Sequence, residues 1–99
     1  MKEDFVTLET AYLLKEKGMS IDIRFPTKYI AQKWLRETKK LHISIIRNAC
    51  GYGYDICKAD NGTHIADGIF DGPNDGGQWD TYEEALEAGI QEALKLVEE

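Results

Sequence analysis

Cysteine, proline and histidine are all scarce in this chain, with two of each among 99 residues. Cys50 and Cys57 lie too close together and are too few to form the disulfide framework that staples small secreted domains, and a reducing cytosol keeps such thiols free. With no Pro/Ser-rich tract, low-complexity stretch or internal repeat there is no linker to find, so one domain over residues 1–99 is expected. No apolar run approaches the roughly 20 residues that span a bilayer, and the start Met1-Lys2-Glu3-Asp4 lacks the basic and apolar segments of a secretory signal. The expectation is a cytoplasmic protein with no membrane partner.

Basic residues are nearly absent from the second half. Residues 51–99 hold two Lys/Arg against twelve Asp/Glu, a balance of −10, whereas residues 1–50 hold ten against six, a balance of +4, and together these give the net charge of −6. The acidic excess opposes nucleic acid and anionic membranes through like-charge repulsion. The asymmetry makes the two halves attract each other, within one fold or between copies of it.

What is present is a globular composition: 42% hydrophobic and 30% charged residues, on a length at which folding buries about 60 to 68% of the unfolded surface. A first helix is predicted over residues 3–17, with Phe5, Leu8 and Tyr12 at helical spacing, Lys15 and Lys17 in the last turn, and Gly18 at the left-handed cap. Ser20 to Phe25 alternates as a short strand does. Pro26 and Thr27 stop it, and Thr27 can cap a second helix through Thr38. On that helix Ile30, Ala31, Trp34, Leu35 and Thr38 fill one arc, with Trp34 read as core, while Lys28, Lys33, Arg36, Lys39 and Lys40 fill the other.

Three strands follow. Leu41, Ile43 and Ile45 alternate with His42, Ser44 and Ile46; after a turn near Asn48 to Gly51, Tyr52, Tyr54 and Ile56 alternate with Gly53, Asp55 and Cys57. Asn61-Gly62 suits a two-residue type I′ turn, which would set Lys58 opposite Ile65 and Tyr54 opposite Ile69. That register also puts Asp67 opposite Ile56 on the apolar face, a conflict that a bulge near Gly68 would relieve. Thr81 with Glu84 forms a capping box before a last helix, whose stripe runs Leu86, Ile90, Ala93, Leu94 and Val97. The fold class expected is α+β: helix, short strand, helix, three-stranded antiparallel meander, helix, with the helices packed on one face of the sheet.

No enzyme signature is present, and no cofactor, catalytic residue or metal ligand is assigned. The loop Asp71-Gly72-Pro73-Asn74-Asp75-Gly76 has a calcium loop's flavour, but Pro73 takes a ligand position and Tyr82 stands where a bidentate Glu should close the site. Gly51-Tyr52-Gly53 precedes a strand instead of opening a helix, so it is read as part of a hairpin in preference to a phosphate loop. In the proposed register Cys57, Ala59, His64 and Ala66 share the outer sheet face with His42, so a metal or thiol site there is one reading, although zinc spacing motifs are absent.

The order helix, three strands, helix resembles the double-stranded RNA-binding domain, and Trp79-Asp80-Thr81-Tyr82-Glu83-Glu84-Ala85 resembles the strand-to-helix junction of the three-stranded DNA-binding domains in integrases and AP2-type factors. Those families present basic groups where this chain has Glu83, Glu84, Asp55, Asp60 and Asp67. Only the second helix offers a nucleic-acid face, through Lys28, Lys33, Arg36, Lys39 and Lys40.

Segments Thr7 to Gly18, Pro26-Thr27 with Ala31 to Glu37, Leu41-His42-Ile43 and Thr81 to Leu96 resemble a family of small uncharacterised proteins found in gut bacteria and their phages. The resemblance spans about half the chain and departs where that family carries a longer Tyr-rich insertion before the Pro-Thr pair. It implies a genomic context and no chemistry. The leading expectation is therefore a non-enzymatic protein–protein interaction or self-associating module. Its candidate face is the small and apolar outer side of the sheet: Ser44, Ile46, Gly53, Cys57, Ala66 and Phe70.

Overall fold

A computed structural model describes residues 5–19, 26–68, 72–74 and 76–97. Six elements follow in chain order: α1 (Leu8–Glu16), α2 (Lys28–Thr38), β1 (Leu41–Asn48), β2 (Gly51–Lys58), β3 (His64–Gly68) and α3 (Tyr82–Leu96). The strands form an antiparallel sheet in the order β1-β2-β3, and the helices lie on its one apolar side, so the α+β meander expected from the sequence is the fold. The strand expected at Ser20–Phe25 lies outside the described residues.

Local chemistry explains the helix ends. Thr7, Thr27 and Thr81 each have extended backbone and a hydroxyl that accepts the N–H three residues on, from Thr10, Ile30 and Glu84, satisfying one of the donors a helix start leaves unpaired. Helix α1 ends in a Schellman motif: Gly18 takes a φ of 110°, its N–H reaches the Lys15 carbonyl at 3.1 Å, and the Met19 N–H reaches that of Leu14 at 3.0 Å, as Gly at this position permits.

The first helix starts later and faces differently from the prediction. Its cap is Thr7; ahead of it Phe5 bridges to Thr27 and the Val6 N–H donates to the Pro26 carbonyl at 3.1 Å. The side turned inward carries Thr10, Ala11 and Leu14, while Phe5, Leu8 and Tyr12 are 42, 54 and 63% exposed. Two contacts hold this side inward: Ala11 and Leu14 join the core, and where α1 packs on α3 Thr7 and Thr10 bind Glu87 and Gln91. The large apolar side chains on the other side therefore face outward.

Helix α2 keeps its predicted bounds, and Ala31 and Leu35 are fully buried. Ile30, however, is exposed, and Trp34 is only half-buried at the margin of the core, with the Lys39 ammonium 5.6 Å from its ring centre. Lys28 does not belong to the solvated basic face: it is buried in the first turn, lining a cleft with Thr7, Trp79, Glu84, Glu87 and Gln91, where its aliphatic stem takes up apolar contact near acidic side chains. Gln32 donates to the Ile43 carbonyl at 2.7 Å, tying α2 to the edge strand β1 and occupying one of its free acceptors.

The β1–β2 register pairs Ile43 with Ile56 and Ile45 with Tyr54, so these side chains share the face beneath the helices. Among the described residues, Leu14, Leu35, Ile43, Ile56, Leu86, Ile90 and Leu94 are the large apolar side chains withdrawn almost completely from solvent, each contributing about 1.5–3 kcal/mol by burial. Helix α3 comes close to the sheet at Gly89, where a Cβ would stand 3.0 Å from Ile43 Cγ2 and 3.2 Å from Tyr54 Cγ.

The β2–β3 hairpin corrects the predicted register. Cys57 pairs with His64, but Ile56 pairs with Ala66, Asp55 with Asp67 and Tyr54 with Gly68, with a bulge opposite Ile56 and Cys57. Among the connecting residues only Gly62 has a positive φ, 76°. A type I′ turn needs it at two successive residues, so Asn61-Gly62 is not a two-residue loop. Instead the Lys58 N–H reaches the Thr63 carbonyl at 2.8 Å, the Gly62 N–H reaches that of Lys58 at 2.8 Å, and Asn61 Oδ1 accepts the Thr63 N–H. The bulge lies at Ile65, not Gly68. It resolves the conflict foreseen at Asp67, which turns outward, and brings Ala66 and Gly68 to the inner face.

Trp79 returns to the sheet as expected, exchanging backbone hydrogen bonds with Tyr52 at 2.8 and 2.9 Å. Its ring rests 5.6 Å from that of Tyr54.

Candidate functional site

On the outer face of the sheet the registers line up two cross-strand rows. His42, Cys57 and His64 form the first, and Ser44, Asp55 and Asp67 the second. The sequence grouped His42, Cys57, His64 and Asp55 on this face, and the strand pairing brings them together. It missed Asp67, because the single-residue bulge that turns Asp67 outward has no signature in residue alternation.

His64 belongs to the first row and its ring reaches across to the two carboxylates of the second. Its Nδ1 lies 2.8 Å from Asp55 Oδ1 and its Nε2 3.5 Å from Asp67 Oδ2, with all three side chains half-exposed. One donor atom from each of the three lies within 4.8 Å of the other two.

The candidate interaction residues fare unevenly. Ser44, Ile46 and Cys57 occupy the outer face but are half-buried, and Gly53 is buried. Ala66 belongs to the inner face by its pairing with Ile56, and Phe70 lies outside the described residues. The apolar surface left open is elsewhere: Phe5, Leu8 and Tyr12 beside α1, Tyr29 and Ile30 on the first turn of α2, and Tyr82 at the start of α3. Leu8, Tyr12 and Leu13 line a shallow apolar groove edged by Glu9 and Glu16.

Tyr29 stacks on Tyr82 at 6.4 Å, Tyr82 meets Tyr52 edge-on at 6.2 Å, and the Arg47 guanidinium caps Tyr52 at 4.8 Å. The nucleic-acid face is narrower than read from the sequence. With Lys28 buried and Lys39 held over Trp34, Lys33 and Lys40 are its exposed cations and Arg36 is half-buried.

Between α1 and α3, Glu87 Oε2 accepts from the Thr7 N–H at 3.3 Å, the Thr7 hydroxyl at 2.9 Å, the Thr10 hydroxyl, and Gln91 Nε2 at 3.4 Å. Gln91 also donates to the Thr10 hydroxyl at 2.8 Å. This network is a structural clasp. The Gly-rich loop is likewise structural: Asn74 Oδ1 accepts the N–H groups of Gly76 and Gln78, and its amide donates to the Cys50 carbonyl and Asp80. Asn74's polar groups are thus spent within the loop and on its neighbours Cys50 and Asp80; Asp71 and Asp75 lie outside the described residues.

No family model, curated protein or solved structure matches this chain. Among the described residues, no helix is long and apolar enough to cross a membrane.

Proposed function

We propose that this protein is a non-enzymatic interaction module that pairs with a second copy of itself through helices α1 and α2. The observation that carries the reading is the outward stripe of Leu8 and Tyr12, 54 and 63% exposed, on a helix whose opposite side is already anchored by polar bonds. Monomeric proteins rarely leave large apolar side chains grouped on one helix face.

Charge complementarity supports a second copy as the occupant. The apolar groove of α1 is edged by Glu9 and Glu16. On α2, Ile30 is exposed and stands one turn before the exposed Lys33, so an apolar knob and a cation share one helix face. Seating Ile30 in the groove of the partner sets Lys33 toward its acidic rim. A two-fold axis makes that contact twice, since in a symmetric pair each surface meets its complement on the other subunit. Two free thiols, Cys50 exposed and Cys57 half-buried, fit a reducing, cytoplasmic setting.

Sedimentation equilibrium over a wide concentration range tests this. The wild type is expected to dimerise, more weakly at high salt. Leu8→Ser with Tyr12→Ser abolishes the dimer, Lys33→Glu weakens it, and adding Glu16→Lys to Lys33→Glu restores it. A chain that stays monomeric at every concentration overturns the proposal, as does a dimer indifferent to these changes.

A further inference from the structure

We infer that His64 and Asp67, with Asp55 behind the imidazole, form a binding site for a divalent transition-metal ion, zinc being the best fit. Residues three apart on a regular strand project to opposite faces, yet His64 and Asp67 both contact one another's side of the outer face, because the extra residue Ile65 resets the alternation between them. Bulges commonly re-aim side chains next to sites of function.

The pairing this produces is costly without a cation. Asp55 and Asp67 are directly opposite neighbours, and like charges across a strand pair destabilise it. The imidazole lies between the two carboxylates, with Nδ1 2.8 Å from Asp55 Oδ1 and Nε2 3.5 Å from Asp67 Oδ2. With an Nδ1 N–H donated to Asp55, the Nε2 lone pair and the Asp67 oxygen can share a metal ion, whose charge offsets the two opposed carboxylates.

Zinc binds imidazole nitrogen and carboxylate oxygen at about 2.0–2.2 Å in tetrahedral geometry, for which the donor-to-donor edge is about 3.3–3.6 Å. The observed separation falls in that range. Asp55 occupies the place of the carboxylate that fixes a ligating histidine's tautomer and ring orientation. One nitrogen with carboxylate oxygen suits zinc and its neighbours better than calcium or magnesium, which take oxygen alone. Two protein ligands are one fewer than the three of an open catalytic zinc site, so water or donor groups of a bound molecule fill the remaining positions.

Isothermal titration of the full chain with zinc chloride, together with the visible absorption of the cobalt(II) form, tests the assignment. One saturable equivalent per chain is expected. His64→Gln and Asp67→Asn abolish it, Asp55→Asn keeps both ligands but weakens binding about 10–100-fold, and Cys50→Ser with Cys57→Ser leaves it unchanged. All these side chains are at least partly exposed, so circular dichroism should show the variants folded.

Absence of saturable binding at millimolar metal overturns the inference. So does binding that survives Asp67→Asn or is lost with the two thiols, which would mark an adventitious thiol site. None of these outcomes depends on dimerisation.

Discussion

Replacing Gly68 by Ala tests the hairpin register. A Cβ at position 68 would stand 2.3 Å from Tyr54 Cε2 and 2.4 Å from Cζ, well inside van der Waals contact. Tyr54 has little room to retreat: it is 5% exposed, α3 presses on it at Gly89, and the Trp79 ring flanks it. Overpacking of this kind costs about 1–3 kcal/mol. A contact as short as 2.3 Å against a buried ring places the cost in the upper part of that range, about 2–3 kcal/mol. Replacing Gly in a strand returns about 0.5–1 kcal/mol of chain entropy, so the net loss should be about 1–2.5 kcal/mol. For a domain of this size that lowers Tm by about 4–20 °C.

Thermal and urea unfolding followed by far-ultraviolet circular dichroism would measure the loss. The cycle with Tyr54→Leu is the sharper form, because removing the end of the ring makes room for the methyl and most of the Gly68→Ala penalty should vanish in that background. In the two-residue-turn register position 68 would face outward and the methyl would be harmless. A Gly68→Ala protein as stable as the wild type, or a penalty unchanged by Tyr54→Leu, refutes the bulged register and with it the placing of His64 beside Asp67.

Thr10→Val keeps the shape of a fully buried side chain but removes the hydroxyl between Glu87 and Gln91, and should cost about 1–3 kcal/mol in chemical denaturation. Ile90→Ala, at a position with no exposure, should cost about 2–5 kcal/mol. Thr81→Ala removes the α3 cap and should cost about 1 kcal/mol. By contrast Tyr12→Ser, on an exposed position, should leave the unfolding midpoint of dilute protein within about 0.5 kcal/mol of wild type while weakening self-association.

Most of the element list was legible because its signals are local. Thr27 and Thr81 announce their helices through a side chain reaching three residues, and Gly18 ends α1 through the sign of one dihedral. The inner faces of β1 and β2 follow from strict alternation, and Asn48–Gly51 marks the turn between them. The errors fall where two elements had to agree. Phe5, Leu8 and Tyr12 satisfy helical spacing, yet Glu87 and Gln91, about 80 residues away, hold the other side of α1. Lys28 matches the periodicity of a solvated face but lies in the first turn, where α2 meets α3.

The outer-face site divides in the same way. Period-two alternation groups His42, Asp55 and Cys57 from the residues alone, since an unbroken strand carries its facing forward from one residue to the next. Asp67 enters only through the bulge at Ile65, a choice made by packing: Ala66 and Gly68 fit under Tyr54 and Ile56, where Asp67 would bury a charge. The amino-acid sequence by itself determined the helices, the strands and the acidic and basic halves, because capping, alternation and charge act over a few residues. Only the tertiary structure decided which side of α1 is buried and where β3 slips by one residue, because those depend on the free energy of side chains meeting across elements that are distant in the chain.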